Sequence, residues 1–183
     1  MTQHEAYTGT LACGLRTVHI ATTSPVAWLG LAVDAGSRDD PEGHYGLAHF
    51  VEHTLFKGTT HRRACHILNR MERVGGELNA YTTKEHTMVY TVFPAGHLPR
   101  AAELLADLIR NSTFPHDEVE RERDVVLEEA AGYRDTPADA SYDDLEDLLF
   151  EGSGLGHNIL GLEQHLRATR REHCADYLQT YCC

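Results

Sequence analysis

The order of strand-like and helix-like patterns constrains the fold of this 183-residue chain more than any other feature. Short runs of apolar and β-branched residues predict strands at residues 10–13, 16–22, 26–35, 77–82 and 86–93. Apolar residues at helical spacing predict helices at residues 44–56, 62–74, 98–110, 115–134, 138–150 and 169–180. Because strands come first and helices follow, we expect an α+β fold, with a mostly antiparallel sheet packed with helices in a single domain over residues 1–183.

Charge and composition exclude several classes of protein. Sixteen basic and 28 acidic residues give a formal net charge of −12, so a nucleic acid is not an expected partner. Hydrophobic residues form 42% of the chain, which is enough for a buried core. No apolar run reaches the length needed to span a membrane, so a membrane is not an expected partner either.

The first residues and the cysteines predict a cytoplasmic location. Residues 1–5 lack the basic start and apolar stretch of a secretory signal. The five cysteines are odd in number and include no CxxC pair, which favours reduced thiols over a disulfide framework.

The strongest chemical pattern is formed by His49, Glu52 and His53, inside the helix predicted at residues 44–56. Residues three and four apart on a helix share one face, with Cβ atoms about 5–6 Å apart. Two imidazoles at that spacing can converge on one Zn²⁺, and Glu52 can act on a water activated by the metal without being a ligand. Since the chain has 13 histidines, two surface histidines on an amphipathic helix are an alternative interpretation of this motif alone.

A catalytic zinc commonly takes three protein ligands, so a carboxylate from another element is expected. The helix predicted at residues 115–134 carries five glutamates: Glu118, Glu120, Glu122, Glu128 and Glu129. At about 100° per residue, Glu122 and Glu129 point in nearly the same direction, and Glu128 points toward the polar side. The direction shared by Glu122 and Glu129 is flanked by residues expected to be buried: Val119, Val125, Val126 and Tyr133.

Two carboxylates in line on an apolar face are costly unless a cation satisfies them. We therefore predict Glu129 as the third ligand and Glu122 as a carboxylate that orients a ligand histidine. The alternative for Glu122 is an ordinary ion pair with Arg121 or Arg123.

These motifs resemble the pitrilysin/insulinase family of zinc metallopeptidases, the inverzincins, including the mitochondrial processing peptidase type. Residues 46–59 are similar to the family signature nearly throughout, and residues 122–129 are similar to its ligand helix. Shorter matches lie at residues 36–38, 75–76, 79–82 and 135–137. The resemblance implies one Zn²⁺ per chain on His49, His53 and Glu129, with Glu52 as the general base and Glu122 as an auxiliary carboxylate.

The resemblance also implies how a peptide substrate binds. The family adds the peptide to an edge strand, and this strand corresponds here to the segment that contains Asn79 and Ala80. A Gly-rich loop at residues 153–161 is similar to a family loop, but a histidine and two prolines are replaced by Ser153, Gly154 and Asn158. These replacements predict a less rigid loop.

The resemblance runs from about Leu11 to Tyr181. Family members continue into a second, similar domain, and the two halves close like a clamshell around the substrate. We therefore expect an N-terminal domain truncated near its C-terminal end. Its expected partners are a second family domain or subunit and a peptide or unfolded polypeptide substrate.

Three functions are compatible with the sequence. The first is a zinc metalloendopeptidase domain, and the second is a metal-binding but catalytically inert fragment or regulatory subunit that lacks the second half. The third is a structural zinc module, which would require a further ligand such as a cysteine.

Overall fold

Two antiparallel sheets form the β structure of the computed structural model, which describes residues 5–182 apart from the side chain of Asp139. Strands β1 (Ala6–Thr10) and β2 (Arg16–Ile20) form an exposed hairpin. The larger sheet contains β3 (Val26–Val33), β4 (Glu77–Thr82) and β5 (Thr87–Pro94) in the order β3–β5–β4. The α+β fold with an antiparallel sheet is confirmed.

Seven α-helices complete the described part of the chain. They are α1 (Leu47–Leu55), α2 (Ala64–Glu72), α3 (Leu98–Asn111), α4 (His116–Arg134), α5 (Pro137–Leu149), α6 (Glu163–Ala168) and α7 (Arg171–Cys182). Short 3-10 turns occur at Ser37–Asp39 and Ala95–His97. No helix within residues 5–182 is both long enough and apolar enough to cross a membrane.

The core lies between one face of the larger sheet and the helices. Alternate residues of β5 point into it, so that Val89 and Phe93 are fully buried while Met88, Tyr90 and Val92 between them and beside them are only half-buried. From the helices, Phe50 of α1, Leu104 of α3 and Val126 of α4 belong to the same buried cluster. Helix α1, which carries the histidine motif, packs against β4, α4 and α7.

The prediction of a strand at residues 10–13 is wrong. The N–H of Leu11 donates to the carbonyl of Leu15, and the N–H of Gly14 donates to the carbonyl of Leu11, which closes a turn at this point. Gly14 has φ +90°, a conformation that glycine adopts readily. Leu11 therefore lies in an exposed hairpin turn, and strand β1 ends immediately before it.

Candidate functional site

The carboxylate of Asp40 fixes the start of α1. Its oxygens accept hydrogen bonds from the N–H groups of Gly46 (2.7 Å) and Ala48 (2.8 Å), which satisfies donors that a helix start leaves free. Gly46 has φ +95°, and a Cβ there would lie 2.7 Å from the carbonyl oxygen of Leu160. Both the backbone conformation and the close approach therefore require glycine immediately before the helix.

Helix α1 points its two histidines toward α4. The imidazole rings of His49 and His53 have centroids 4.5 Å apart, one turn from each other. Nε2 of His53 lies 3.3 Å from Oε2 of Glu129, and Nε2 of His49 lies 3.8 Å from Oε1 of the same carboxylate. One ligand atom from each of the three residues can be chosen so that all lie within 4.8 Å of one another.

This donor set fits a zinc ion. Ligand distances of about 2.0–2.2 Å and tetrahedral angles place ligand atoms roughly 3.3–3.6 Å apart. The two imidazoles lie 3.3 Å and 3.8 Å from the carboxylate oxygens of Glu129, which is close to this range. Two imidazoles and one carboxylate are also a ligand combination that catalytic zinc sites use. The three residues would leave a fourth position for water or substrate.

The protonation state of His49 suits metal binding. His49 is only 7% exposed. Burial, together with the neighbouring His53, lowers the pKa of His49 from 6.5 to about 3. The ring is therefore neutral at neutral pH and has a lone pair available for a cation. Its Nδ1 is buried and has no hydrogen-bond partner among the described residues.

The position of Glu129 differs from the sequence expectation in one respect. Its side chain is 46% exposed, and Val125 on the same helix is 49% exposed, whereas Val119 and Val126 are buried as predicted. The prediction that Val125 is buried is wrong. The face of α4 that carries Glu122 and Glu129 is buried at Glu122, but at Glu129 it is open to solvent.

Glu122 is buried between His53 and Lys57. Its Oε1 lies 3.0 Å from Nδ1 of His53, and its Oε2 lies 2.6 Å from Nζ of Lys57. Sequence reasoning did not identify Lys57, although the lysine follows His53 by four residues. The arginines considered as alternative partners of Glu122 bind elsewhere.

These arginines have identifiable partners. Arg123 pairs with Glu120 and donates to the carbonyls of Leu166 and Thr169. Arg121 pairs with Glu118. The alternative ion pair of Glu122 with an arginine of its own helix is therefore absent from the described residues.

Glu52 is half-buried, beside His53 and the end of β4. Burial raises the pKa of the Glu52 carboxyl above 4.5, and the charge of Glu129 adds to this increase. Thr82 and His53 oppose it. A carboxylate with a raised pKa is a better proton acceptor near neutral pH.

Asn79 and Ala80 lie on β4, the strand at one edge of the larger sheet. In the described part of the chain β4 pairs only with β5, opposite Tyr90 and Val89, and α1 packs beside it. The N–H of Ala80 donates to Oδ1 of Asn79 at 2.8 Å. This backbone donor is therefore satisfied by a side chain and not by a neighbouring strand.

The loop at residues 153–161 is docked against the segment that leads into α1. Nε2 of His157 lies 2.7 Å from the carbonyl oxygen of Ser37, and its ring stacks on Tyr45 with centroids 4.1 Å apart. A Cβ on Gly154 would lie 2.2 Å from the carbonyl oxygen of Arg38. Close packing, and not proline, holds this loop in place.

Comparison with known proteins agrees with these observations. The family model described as insulinase (peptidase family M16) matches residues 16–163. The mitochondrial-processing peptidase subunit beta of Homo sapiens is 37% identical over 171 residues, which cover 93% of this chain and 35% of that protein. Cytochrome b-c1 complex subunit 1 of Bos taurus is 34% identical over 168 residues, which cover 92% of this chain and 35% of that protein. The chain thus spans about a third of the length of these relatives.

Solved structures show the same fold. A protease from Helicobacter pylori superimposes with a TM-score of 0.92 at 24% identity, covering 98% of this chain and 44% of that one. A peptidase M16 inactive domain from Pseudomonas fluorescens superimposes with a TM-score of 0.87 at 19% identity, covering 95% and 43%. From its matching family model, its relatives and its fold, the chain belongs to the insulinase family of peptidases, family M16.

Proposed function

We propose that this chain is a zinc-dependent metalloendopeptidase domain. The observation that supports the proposal most directly is the convergence of His49, His53 and Glu129, on two different helices, with ligand atoms within 4.8 Å of one another. Glu52 lies beside this group without belonging to it. Three ligands and one adjacent carboxylate are the parts that metal-assisted hydrolysis requires.

Each residue of the site has a defined role in this proposal. A bound zinc supplies Lewis acidity and lowers the pKa of water. His49, His53 and Glu129 hold the ion. Glu52 takes a proton from the water whose oxygen attacks the peptide carbonyl carbon, and it passes that proton to the amine that leaves when the C–N bond breaks.

The substrate in this proposal is a peptide or an unfolded polypeptide. An extended peptide would pair with the free edge of β4, with Asn79 and Ala80 nearest the scissile bond. The N–H of Ala80 can donate to the peptide if the Asn79 side chain rotates away from it. Folded proteins lack an accessible extended segment and would be excluded.

A second family domain or subunit is the expected partner, because the chain spans only about a third of its relatives. Those relatives are themselves described as subunits. A partner of this kind would close over the solvent-exposed side of Glu129.

A second candidate function is a metal-binding but catalytically inert domain. It is favoured by the same partial coverage, and by the likeness to a domain of this fold that is described as inactive. The two candidates differ in turnover and not in metal binding.

A quenched, unstructured peptide distinguishes the two candidates. The purified chain and its Glu52→Gln variant are each loaded with zinc and assayed alone and together with a full-length family partner. The peptidase proposal predicts hydrolysis by the wild type, and a loss of turnover with retention of zinc in the variant. Equal rates in the two proteins would contradict the role of Glu52, and no hydrolysis under either condition would favour the inert domain.

A further inference from the structure

Lys57 lies just past the C-terminal end of α1 and is joined to His53 through a carboxylate. Its Nζ is 2.6 Å from Oε2 of Glu122, while Oε1 of Glu122 is 3.0 Å from Nδ1 of His53. The side chains of Lys57 and Glu122 are 27% and 11% exposed, so the pair is largely shielded from water. One carboxylate therefore bridges an ammonium group and a proposed zinc ligand.

We propose that Lys57 is a positioning residue of the zinc site and acts on His53 through Glu122. The ammonium group holds one carboxylate oxygen, so that the other faces Nδ1 of His53 and accepts its hydrogen. This arrangement selects the tautomer of His53 that leaves Nε2 unprotonated, and Nε2 is the atom that faces Glu129. The inference rests on the proposed function, because it assigns a role at the same metal site.

Lys57 also contributes to the charge balance of the site. Ionised Glu52, Glu122 and Glu129 contribute three negative charges at the site, and Lys57 contributes one positive charge. The sum is −2, which a divalent cation neutralises. Without Lys57, Glu122 would be a largely buried carboxylate without its cationic partner, an arrangement that proteins tolerate poorly.

Simple electrostatics predicts the opposite effect from the positioning role. A cation near the site repels Zn²⁺, so deleting Lys57 should strengthen zinc binding if charge alone matters. If Lys57 positions Glu122 and His53, its deletion should instead weaken zinc binding. The sign of the change therefore separates the two explanations.

The experiment measures zinc affinity by competition with a chromophoric chelator. Lys57→Met should bind zinc about 10-fold more weakly than the wild type, which is the low end of the loss typical when the hydrogen-bond partner of a ligand histidine is disturbed, because here that partner, Glu122, stays in the chain. Lys57→Arg keeps the cation and should restore most of the affinity. The chain's other lysine provides the matched control, because Lys84 pairs with Glu146 at 2.7 Å, and Lys84→Met should change the affinity by less than about twofold.

Two further measurements test whether Lys57 acts through Glu122. The double variant Lys57→Met/Glu122→Gln should bind zinc no more weakly than Glu122→Gln alone, since the lysine has no further role once the carboxylate is gone. In the zinc-loaded protein, NMR of the nitrogen-15-labelled ring should show a slowly exchanging Nδ1–H of His53 in the wild type and a faster exchange of this hydrogen in Lys57→Met. His53→Gln identifies the resonances.

Several outcomes overturn the inference. They are unchanged or tighter zinc binding by Lys57→Met, losses of affinity that add fully in the double variant, and an unchanged exchange rate of the His53 Nδ1–H. If Lys57→Met does not fold, as judged by circular dichroism, the zinc affinity of Lys57→Arg is used instead. A loss of affinity in Lys57→Arg as large as the loss in Glu122→Gln then overturns the inference. A wild type that binds no zinc overturns the proposed function itself, whereas zinc binding that is insensitive to Lys57 overturns only this inference.

Discussion

Oε2 of Glu129 lies 3.3 Å from Nε2 of His53, although the two residues belong to different helices. Packing of α1 against α4 brings them together, and the same carboxylate reaches His49 through its other oxygen. The proposed metal site is therefore a property of the packed domain and not of the histidine motif alone.

Replacing the third proposed ligand should reduce metal affinity without unfolding the protein. Glu129→Gln keeps the shape of the side chain but removes its charge, and the residue is half-exposed, so little packing is lost. We expect zinc affinity to fall by more than about 100-fold, because removing a ligand should weaken zinc binding more than removing a residue that only hydrogen-bonds to a ligand. Glu128→Gln, one residue earlier and exposed, is the matched control. Equal losses in the two variants would exclude Glu129 as a specific ligand.

The stability of the metal-free protein should fall in mild acid because of His49. The pKa of His49 is about 3 in the folded state and 6.5 in a model peptide, so between these values the unfolded state binds more protons. Stability therefore rises with pH across this window and is lost as the pH falls below about 6.5. At 1.36 kcal/mol per pH unit, the loss attributable to His49 is about 2 kcal/mol at pH 5.

Urea unfolding in the presence of a chelator, at pH 7.5 and pH 5.0, measures this loss. His49→Gln has no titrating group at this position, so its stability should change less between the two pH values than that of the wild type. The same change in both proteins would show that His49 does not have a depressed pKa.

Asp107 should be a major source of stability for the segment that follows α1. Burial raises the pKa of this carboxyl, but hydrogen bonds from His61, Asn111, Thr59 and Arg62 outweigh burial and lower the pKa to about 2. The side chain is only 4% exposed. Asp107→Asn would leave these donors poorly satisfied and should destabilise the domain by about 3 kcal/mol.

The free energy of unfolding from urea titration tests this expectation. Asp124→Asn, at an exposed position of α4, is the control and should stay within about 0.5 kcal/mol of the wild type. A similarly small change in Asp107→Asn would contradict the assigned role of this carboxylate.

Cys174 should be inert in the folded protein. Its side chain is fully buried, and burial raises the pKa of the thiol to about 12. Cys13 and Cys65 are exposed. Alkylation at pH 8 followed by mass spectrometry should therefore modify Cys13 and Cys65 in the native protein, and Cys174 only after denaturation. Modification of native Cys174 at a comparable rate would contradict the packing of α7.

Much of the fold could be predicted from the sequence because most helices and strands show a clear pattern of apolar residues. Apolar spacing predicted α3 and α4 within two residues, and runs of apolar and β-branched residues predicted β4 and β5. The helix α6 was not predicted, because its six residues are too few to show a helical period. The turn at Leu11 was mistaken for a strand because apolar content alone does not distinguish a buried strand from an exposed turn.

The site was predictable where a single helix sets the geometry. The spacing of His49 and His53 fixes their common face, and helical angles also group Glu122 with Glu129. The partner of Glu122 depends on how α1 packs against α4, so Lys57 could not be chosen over the arginines next to Glu122 from the sequence alone. The cytoplasmic location expected from the cysteines stays a prediction.

The most direct test of the proposed zinc site is X-ray absorption at the zinc edge, together with the zinc content of the purified chain. We predict one zinc per chain, with two imidazole nitrogens and oxygen as ligands, and loss of this signal in His53→Gln. A chain that binds no zinc, or a spectrum that contains sulfur ligands, would contradict the proposal that His49, His53 and Glu129 form a catalytic zinc site.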